Sequence, residues 1–400
     1  PAADDRAVSR DLALIDHTCD GVENLITITG GSHRSFIDGW MRHSAHEWDL
    51  LTLPARKWKW RMRHSALTFV EQVEARRAAG GGWDAVFCSD MLNLAEFRAI
   101  APPEVGALPA VVYFHENQLT YPVRFPKERD YQFGMTNITS ALAAREAWFN
   151  SAFHREEFLD AIPRFLKAMP DHQPAQVVER IRQRSRVMHP AIEPISPRRK
   201  ERADGPLRVV WAARWEFDKA PEVLFEACER LAANGVDFRL SVLGEQFEES
   251  PLIFAEARER LAGRIDSWGY LETREDYSEA LKAADVFVST AIHEFFGLSV
   301  VEAIAAGAYP LVPRRLAYPE VLELDEHPER ERHSYDGSAG ELARRLTALA
   351  RDIGGAQLDL PGIGAPLRRR METFFWPPAA PRLDTALEAA TDRKAGKGIK

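Results

Sequence analysis

The sequence predicts two α/β domains, each built on a parallel sheet. Three observations carry this. Short apolar strands alternate with helical segments, the alternation stops once at a proline-rich, charged stretch, and it then restarts over a similar length. The chain has 400 residues, and at roughly 100–200 residues per domain that allows two to four.

The elements follow in order. Leu25-Ile26-Thr27-Ile28-Thr29 is a short apolar strand punctuated by Gly30-Gly31-Ser32, and a helical pattern runs from Phe36 to Met41. Trp83 to Ser89, Ala110 to Phe114 and Ala147 to Ser151 are the next strands, with helical Leu92 to Ile100 between the first two. Pro190, Pro194 and Pro197, with the charge run Arg198 to Arg202, then mark an exposed linker over 191–205. Beyond it come strand Leu207 to Ala213, helix Pro221 to Ala233, strand Phe238 to Gly244 and helix Ile253 to Leu261. Strand Ile265 to Tyr270, helix Arg274 to Ala284, strand Val286 to Thr290, helix Ser299 to Ala306 and strand Tyr309 to Val312 complete the run. The predicted organisation is a first domain over 22–190, the linker, a second domain over 206–372 and a helical tail over 373–391.

Composition narrows the function classes. Apolar residues are 45% and charged residues 28%, as in soluble globular proteins. A net charge of −8 excludes a wholly basic nucleic-acid-coating protein but leaves room for a local basic patch. Cys19, Cys88 and Cys228 form no CxxC pair and no zinc-ligand spacing, so a reducing compartment fits and a cytoplasmic location is expected. No apolar run approaches the roughly 18 residues of a membrane span.

The sharpest motif is His293-Glu294-Phe295-Phe296-Gly297-Leu298-Ser299-Val300-Val301-Glu302. It follows a strand and enters a helix near Leu298. Free N–H groups at that helix start suit a diphosphate. Glu294 before them and Glu302 about one turn inside can hold hydroxyls on either side: those of a sugar on Glu294, those of a ribose on Glu302. The purely structural alternative is a helix N-terminus with acidic capping residues. Arg214 and Lys219, after another strand of the same domain, are two cations suited to a diphosphate leaving group, or else a pair of surface cations.

In the first domain, Tyr113-Phe114-His115-Glu116-Asn117-Gln118 ends a strand, so His115 is expected to face an interdomain cleft. With no Ser or Cys partner nearby, a hydrolase triad is not supported. Gly30-Gly31-Ser32-His33 allows close backbone approach but is not GxGxxG, so a dinucleotide fingerprint is missing. No Asp-x-Asp pair argues for a carboxylate-held metal–nucleotide site. Arg56-Lys57-Trp58-Lys59-Trp60-Arg61-Met62-Arg63-His64 interleaves cations with tryptophans, a pattern that fits RNA phosphates and unstacked bases. The alternative is a solvated helix face with the tryptophans packed inward. Arg180, Arg182, Arg184 and Arg186 extend the basic theme.

Glu294 to Glu302, with Arg214 and Lys219, resembles the E-x7-E segment of retaining family-4 glycosyltransferases. Those enzymes have the GT-B fold, in which two Rossmann-like parallel-sheet domains face a cleft. Gly30 to His33, Leu53 to Trp58, Tyr113 to Gln118, Glu128 to Gly134, Arg214 to Lys219 and His293 to Gly297 together resemble the tRNA-queuosine α-mannosyltransferase family. The resemblance covers Leu25 to about Trp376. It implies retaining transfer of mannose from GDP-mannose, as co-substrate, to queuosine in the anticodon of aspartate tRNA. No cofactor and no metal are expected. The implied catalytic residues are His115, Arg214, Lys219 and Glu294. The implied donor-binding residues are Gly244, Glu245, Tyr270, Phe296, Gly297, Leu298 and Glu302. The acceptor side falls to Gly31, His33, Arg56, Lys57, Trp58, Lys59 and Asn117. The expected partners are a nucleotide sugar and tRNA, with no membrane span.

Other readings use the same residues. A family-4-like transferase acting on a lipid or saccharide would present the Arg56 to Arg63 stretch as a basic amphipathic helix. A catalytically silent RNA-binding protein on the same scaffold would have no need of Glu294, Glu302, Arg214 and Lys219. A sugar-nucleotide epimerase is a weaker third.

Overall fold

The computed structural model describes residues 11–15, 32–53, 58–123, 129–197, 205–246, 250–354 and 360–392. The chain divides into two units, Pro1–Ala191 with Trp376–Lys400, and Ile192–Phe375. In the first, the strands are β1 (Asp11–Ile15), β2 (Glu47–Leu51), β3 (Ala85–Ser89), β4 (Ala110–Phe114), β5 (Glu146–Phe149) and β6 (Ser185–Val187). Its helices are α1 (Ser32–His43), α2 (Trp58–Ala78), α3 (Leu94–Ile100), α4 (Pro103–Gly106), α5 (Tyr131–Ala143), α6 (Ala152–Lys167) and α7 (Gln176–Arg182). The sheet order is β2-β1-β3-β4-β5-β6, every pair parallel. All five residues of β3 and of β4 are buried, because helices cover both faces of a parallel sheet and leave its central strands no wet side. The strand expected at Leu25 to Thr29 lies outside the described residues.

The second unit holds β7 (Leu207–Ala212), β8 (Phe238–Leu243), β9 (Ile265–Gly269), β10 (Val286–Val288), β11 (Tyr309–Pro313) and β12 (Ser334–Tyr335). Its helices are α8 (Pro221–Ala233), α9 (Ile253–Arg260), α10 (Arg274–Ala283), α11 (Leu298–Ala306), α12 (Tyr318–Leu322), α13 (Ala339–Gly354) and α14 (Leu360–Glu372). The order β12-β11-β10-β7-β8-β9 is also fully parallel. Read from the other edge this is 3-2-1-4-5-6, the doubly wound order. The strand order reverses between β7 and β10, and ligands bind outside the carboxyl ends of strands at such a switch point.

The last helix, α15 (Trp376–Thr391), belongs to the first unit. Trp376, Ala379, Ala380, Leu383 and Leu387 pack with Phe36, Trp40 and Trp148. Its buried Asp384 accepts Trp40 Nε1–H (2.7 Å) and Ser44 Oγ–H (2.8 Å) on one oxygen and the Ala45 amide (2.8 Å) on the other. One carboxylate therefore ties α15 to the C-terminal end of α1.

Two expectations need correction. The stretch 191–205 is not exposed throughout: Ala191, Ile192 and Ile195 are buried, and the last two join the core of the second unit. The arginines from Arg180 to Arg186 do not make one basic patch. Arg182 pairs with Glu156, Arg186 with Glu146, and Arg184 donates to the carbonyls of Leu142 and Ala144. Among the described residues no helix is long and apolar enough to cross a membrane.

Asp384→Ala removes an ionised acceptor from three donors and leaves the Trp40 indole N–H buried without its partner. Charge-assisted hydrogen bonds contribute about 1.5–3 kcal/mol each, non-additively. The substitution is expected to lower stability in urea unfolding by about 3 kcal/mol, and Asp384→Asn by less.

Candidate active site

The loops after β7 and β10 are sewn together at the switch point. The carbonyl of Asp218 accepts the amides of Ile292 (2.9 Å) and His293 (3.3 Å). Thr290 Oγ1 donates to the Lys219 carbonyl at 2.6 Å and accepts Trp211 Nε1–H at 3.0 Å. After the 3-10 turn Phe217–Lys219, Ala220 takes φ +43° and passes the chain into α8. That left-handed conformation costs a non-glycine residue roughly 1–3 kcal/mol. It is held directly beside Lys219.

Lys219 and Glu294 meet here. The Lys219 ammonium donates to the His293 carbonyl at 2.9 Å and lies 3.4 Å from Glu294 Oε2 and 3.2 Å from Asp218 Oδ2. Burial alone would drag the ammonium down, but Glu294 and Asp218 hold it above its ordinary range. Burial likewise pushes the Glu294 carboxyl up, and Lys219, His293 and the Phe296 amide together outweigh it, leaving Glu294 below the usual carboxylate range. His293 is lowered to about 4 by burial and by Lys219, so its imidazole is neutral at pH 7. Lys219, Glu294, Ala213, Ser289, Ser299 and Tyr318 line one small pocket.

The backbone shapes that pocket. Glu294 Oε1 accepts the Phe295 amide at 3.1 Å. Gly297 caps α11 at φ +94°, where a Cβ would come 2.8 Å from the Tyr318 ring. Val300 N–H and Val301 N–H both donate to the Gly297 carbonyl (3.0 and 3.2 Å), which leaves the amides of Leu298 and Ser299 at the helix start, where an anion is favoured. Gly244, at φ +147°, brings the end of β8 against the Ala213 carbonyl, 1.8 Å from where a Cβ would sit. Gly244 N–H also donates to the Gly269 carbonyl at 3.1 Å, and Trp215 N–H to the Glu245 carbonyl at 3.1 Å. The ends of β7, β8 and β9 are thereby held side by side. Arg214, half-exposed, lies 3.3 Å from Glu216 Oε2. Burial raises both Glu216 and Glu245, and Arg214 opposes both shifts. Tyr270 is exposed, with its hydroxyl raised by burial and by Glu245.

Glu302 is not part of the Lys219 cluster. It sits on α11, almost fully buried, with Oε1 on the Arg274 guanidinium and Oε2 accepting the Tyr277 hydroxyl at 3.0 Å. Phe296 corrects an expectation: its side chain is buried in the core and packs edge-on against Phe374. Asn117 corrects another. It is buried, its Oδ1 accepts the amides of Leu119 and Thr120 (3.0 Å each), and its Nδ2 donates to Thr120 Oγ1. An asparagine so used builds a turn, and its side chain is fully buried within it.

In the first unit, the His115 and His33 rings pack against each other with centroids 4.0 Å apart, tilted by 33°. Burial, then His33 and His154, press His115 well below its ordinary value, so it is neutral. Its amide donates to Asp90 Oδ1 at 3.0 Å. Trp58, Lys59 and Trp60 are exposed while Arg61 and Met62 turn inward, so the alternative with inward tryptophans does not hold. Gly31, Arg56 and Lys57 lie outside the described residues.

Residues 24–192 match the family described as tRNA-queuosine alpha-mannosyltransferase N-terminal, and residues 193–353 match glycosyl transferases group 1. A tRNA-queuosine alpha-mannosyltransferase of Drosophila melanogaster is 38% identical over 303 residues, 73% of this chain and 79% of the relative. The chain belongs to the tRNA-queuosine alpha-mannosyltransferase family. It is therefore a glycosyltransferase, with mannose as the sugar its family transfers. A GDP-mannose-dependent phosphatidylinositol dimannoside mannosyltransferase of Mycobacterium tuberculosis is 27% identical over 187 residues, 45% of this chain and 44% of that one. Among solved structures, the sucrose-phosphate synthase of Thermosynechococcus elongatus superposes with TM-score 0.68 at 16% identity, covering 95% of this chain and 98% of the other. Anabaena HepE in complex with UDP gives 0.65 at 13% identity, covering 95% and 100%. These likenesses establish the GT-B fold.

Family membership does not name Arg274, Tyr277, Asp218 or Ala220. Only Ala220 leaves no trace in the sequence. Arg274 and Tyr277 occupy the first turns of α10 and bear a cation and a phenol three residues apart, a pattern with no meaning until α11 is packed beside it.

Lys219→Met strands two carboxylates, and breaking a buried pair costs about 3–5 kcal/mol. Glu294, lowered in the folded state, contributes stability that is present above its unfolded pKa and lost as pH falls through its folded one. Lys219, raised, contributes stability present below its unfolded pKa and lost only in strong alkali. The stability gap between wild type and Lys219→Met is thus widest between about pH 6 and 9 and narrows below about pH 4.5, with carboxyls near 4.3 unfolded. Urea unfolding at pH 4 and pH 7 reads the difference directly.

Proposed function

We propose that this protein transfers mannose from GDP-mannose, with retention, to queuosine in the anticodon of aspartate tRNA, in the cytoplasm and without a metal ion. Family membership across the N-terminal region is the observation that carries the acceptor. The Lys219–Glu294 pair at the switch point supports the donor chemistry.

In this reading the diphosphate lies on the first amides of α11, with Arg214 alongside. Lys219 holds Glu294 in place and adds positive potential where charge develops. Glu294 accepts hydroxyls of the transferred sugar, and Glu302 accepts those of the ribose. Gly244, Glu245 and Tyr270 bound the base pocket. An acceptor hydroxyl oxygen forms the new bond to the anomeric carbon as the bond from that carbon to the diphosphate oxygen breaks. The hydroxyl proton passes to the departing diphosphate, so no side chain need become a covalent nucleophile. Neutral His115 serves to orient the sugar through a hydrogen bond.

The acceptor side is assigned to the first unit, to His33 and to the surface of the first turns of α2. Trp60 is 67% exposed there, beside His64. Lys59 lies over the Trp58 ring, and Arg63 lies over Phe133. An exposed indole set among cations stacks on unpaired bases while the cations meet phosphates.

Glu294→Ala and Arg214→Ala are each expected to lower turnover at least 100-fold, read by mass spectrometry of nucleosides from tRNA incubated with enzyme and GDP-mannose. Near-wild-type product in both would remove the site assignment. Trp60→Ala is expected to weaken tRNA binding about tenfold, from a stacking contribution of about 1–3 kcal/mol per base. Lys59→Glu is expected to flatten the salt dependence of binding by about one phosphate contact. Filter binding across a salt series measures both.

A further inference from the structure

Glu302 has two oxygens with about four lone-pair sites between them. Arg274 takes one site on Oε1 and the Tyr277 hydroxyl takes one on Oε2. One acceptor site remains on each oxygen. Two neighbouring acceptor sites at the spacing of a carboxylate match two adjacent hydroxyls.

The clamp is built from α10. Thr273 caps that helix, its hydroxyl accepting the Asp276 amide at 3.0 Å, and so sets the position of Arg274 at the first helical residue. Tyr277 follows three residues later on the same face. The Arg274 guanidinium lies 5.4 Å from the Tyr277 ring centroid, so each side chain braces the other. Burial and the neighbouring Glu302 hold the Tyr277 phenol well above its ordinary range, which keeps it a donor at any physiological pH. The Glu302 side chain is 9% exposed and that of Arg274 is 51% exposed, so the pair meets solvent on one side. A purely structural ion pair would account for Arg274 alone. It would not account for two donors distributed one to each oxygen, with the hydroxyl placed at hydrogen-bond distance from the oxygen the arginine leaves.

We infer that Arg274 and Tyr277 are positioning residues that present Glu302 as a two-pronged acceptor for a vicinal diol, so that the second unit selects a ribonucleotide donor over its 2′-deoxy counterpart. This rests on the reading of Glu302 as the ribose-binding residue and adds to it what fixes the carboxylate and what the fixing selects. Neither Arg274 nor Tyr277 touches the nucleotide. They act through Glu302, whose side chain would otherwise choose among several rotamers. A nucleotide lacking the 2′-hydroxyl leaves one carboxylate oxygen short of a donor, and a missing hydrogen bond to a charged group is worth about tenfold or more in affinity.

The test is calorimetric titration of GDP and of 2′-deoxy-GDP into the full-length protein and into Tyr277→Phe, Arg274→Lys and Arg274→Ala. The wild type is expected to favour GDP by about tenfold or more. In Tyr277→Phe and Arg274→Ala, GDP affinity is expected to fall about tenfold while 2′-deoxy-GDP changes by less than about twofold, so the preference collapses. Arg274→Lys, which keeps the charge but not the planar fork, is expected to lie between. Tyr277→Phe removes one oxygen only and reports even if Arg274→Ala does not fold. An unchanged preference in Tyr277→Phe, or equal weakening of both nucleotides, overturns the inference. GDP binding by the wild type with mannosylated tRNA as product keeps the reaction reading separate: that reading fails on the wild type alone, and the clamp fails on the ratio.

Discussion

A buried lysine between two carboxylates governs the second unit. Lys219 lies within 3.4 Å of both Asp218 and Glu294 and donates to the His293 carbonyl. Such a group is tolerable in a protein interior only when its charge is met on several sides at once, since an isolated buried ion costs far more than a domain's net stability. The partners come from two loops that are 75 residues apart in sequence. The amides of Ile292 and His293 therefore reach across to the Asp218 carbonyl, and Thr290 to the Lys219 carbonyl. Electrostatics forces the two strand ends into one register, and that register forms the pocket.

The topology explains why those two loops are neighbours at all. β7 and β10 pair directly, although β8 and β9 lie between them in the chain. Strand order 3-2-1-4-5-6 places the connections of β7 and β10 on opposite faces of the sheet, which opens a crevice at their carboxyl ends. Three unusual backbone conformations refine it. Gly297 and Gly244 are positions where a side chain would collide with Tyr318 or with the Ala213 carbonyl. Ala220 carries a positive φ without the glycine that normally permits one. Strain of this kind persists where the surroundings over-determine it, and the Lys219 cluster is what surrounds it.

The first unit follows different physics. The face proposed for the acceptor rests on a neutral His115 packed against His33 and on an exposed aromatic edge rather than on buried charge. A deep carboxylate contact there, Asp384 on Trp40, Ser44 and Ala45, is spent on architecture. That contact fastens α15 to the first unit although 184 residues of the other unit, Ile192–Phe375, intervene in sequence.

Much of this was legible in the amino-acid order. The central strands β3, β4, β7, β8 and β10 are apolar runs because both their faces are covered, and their helices carry the matching period; these elements, the two-domain α/β class, the strand-end placement of Arg214, Lys219 and Glu294 and the helical placement of Glu302 follow from local pattern. Short edge strands such as β2, β6 and β12 did not announce themselves, because two to five residues are too few to carry a period. Nor did residue types alone separate Phe296, a core side chain, from Glu294 beside it, or reveal that Asn117 folds a turn. Tertiary structure decided those, along with the Lys219–Glu294 contact and the Arg274–Tyr277 hold on Glu302. The reason is range: periodicity and capping act over a few residues, whereas a buried charge takes its partners from whatever segment the sheet order brings beside it.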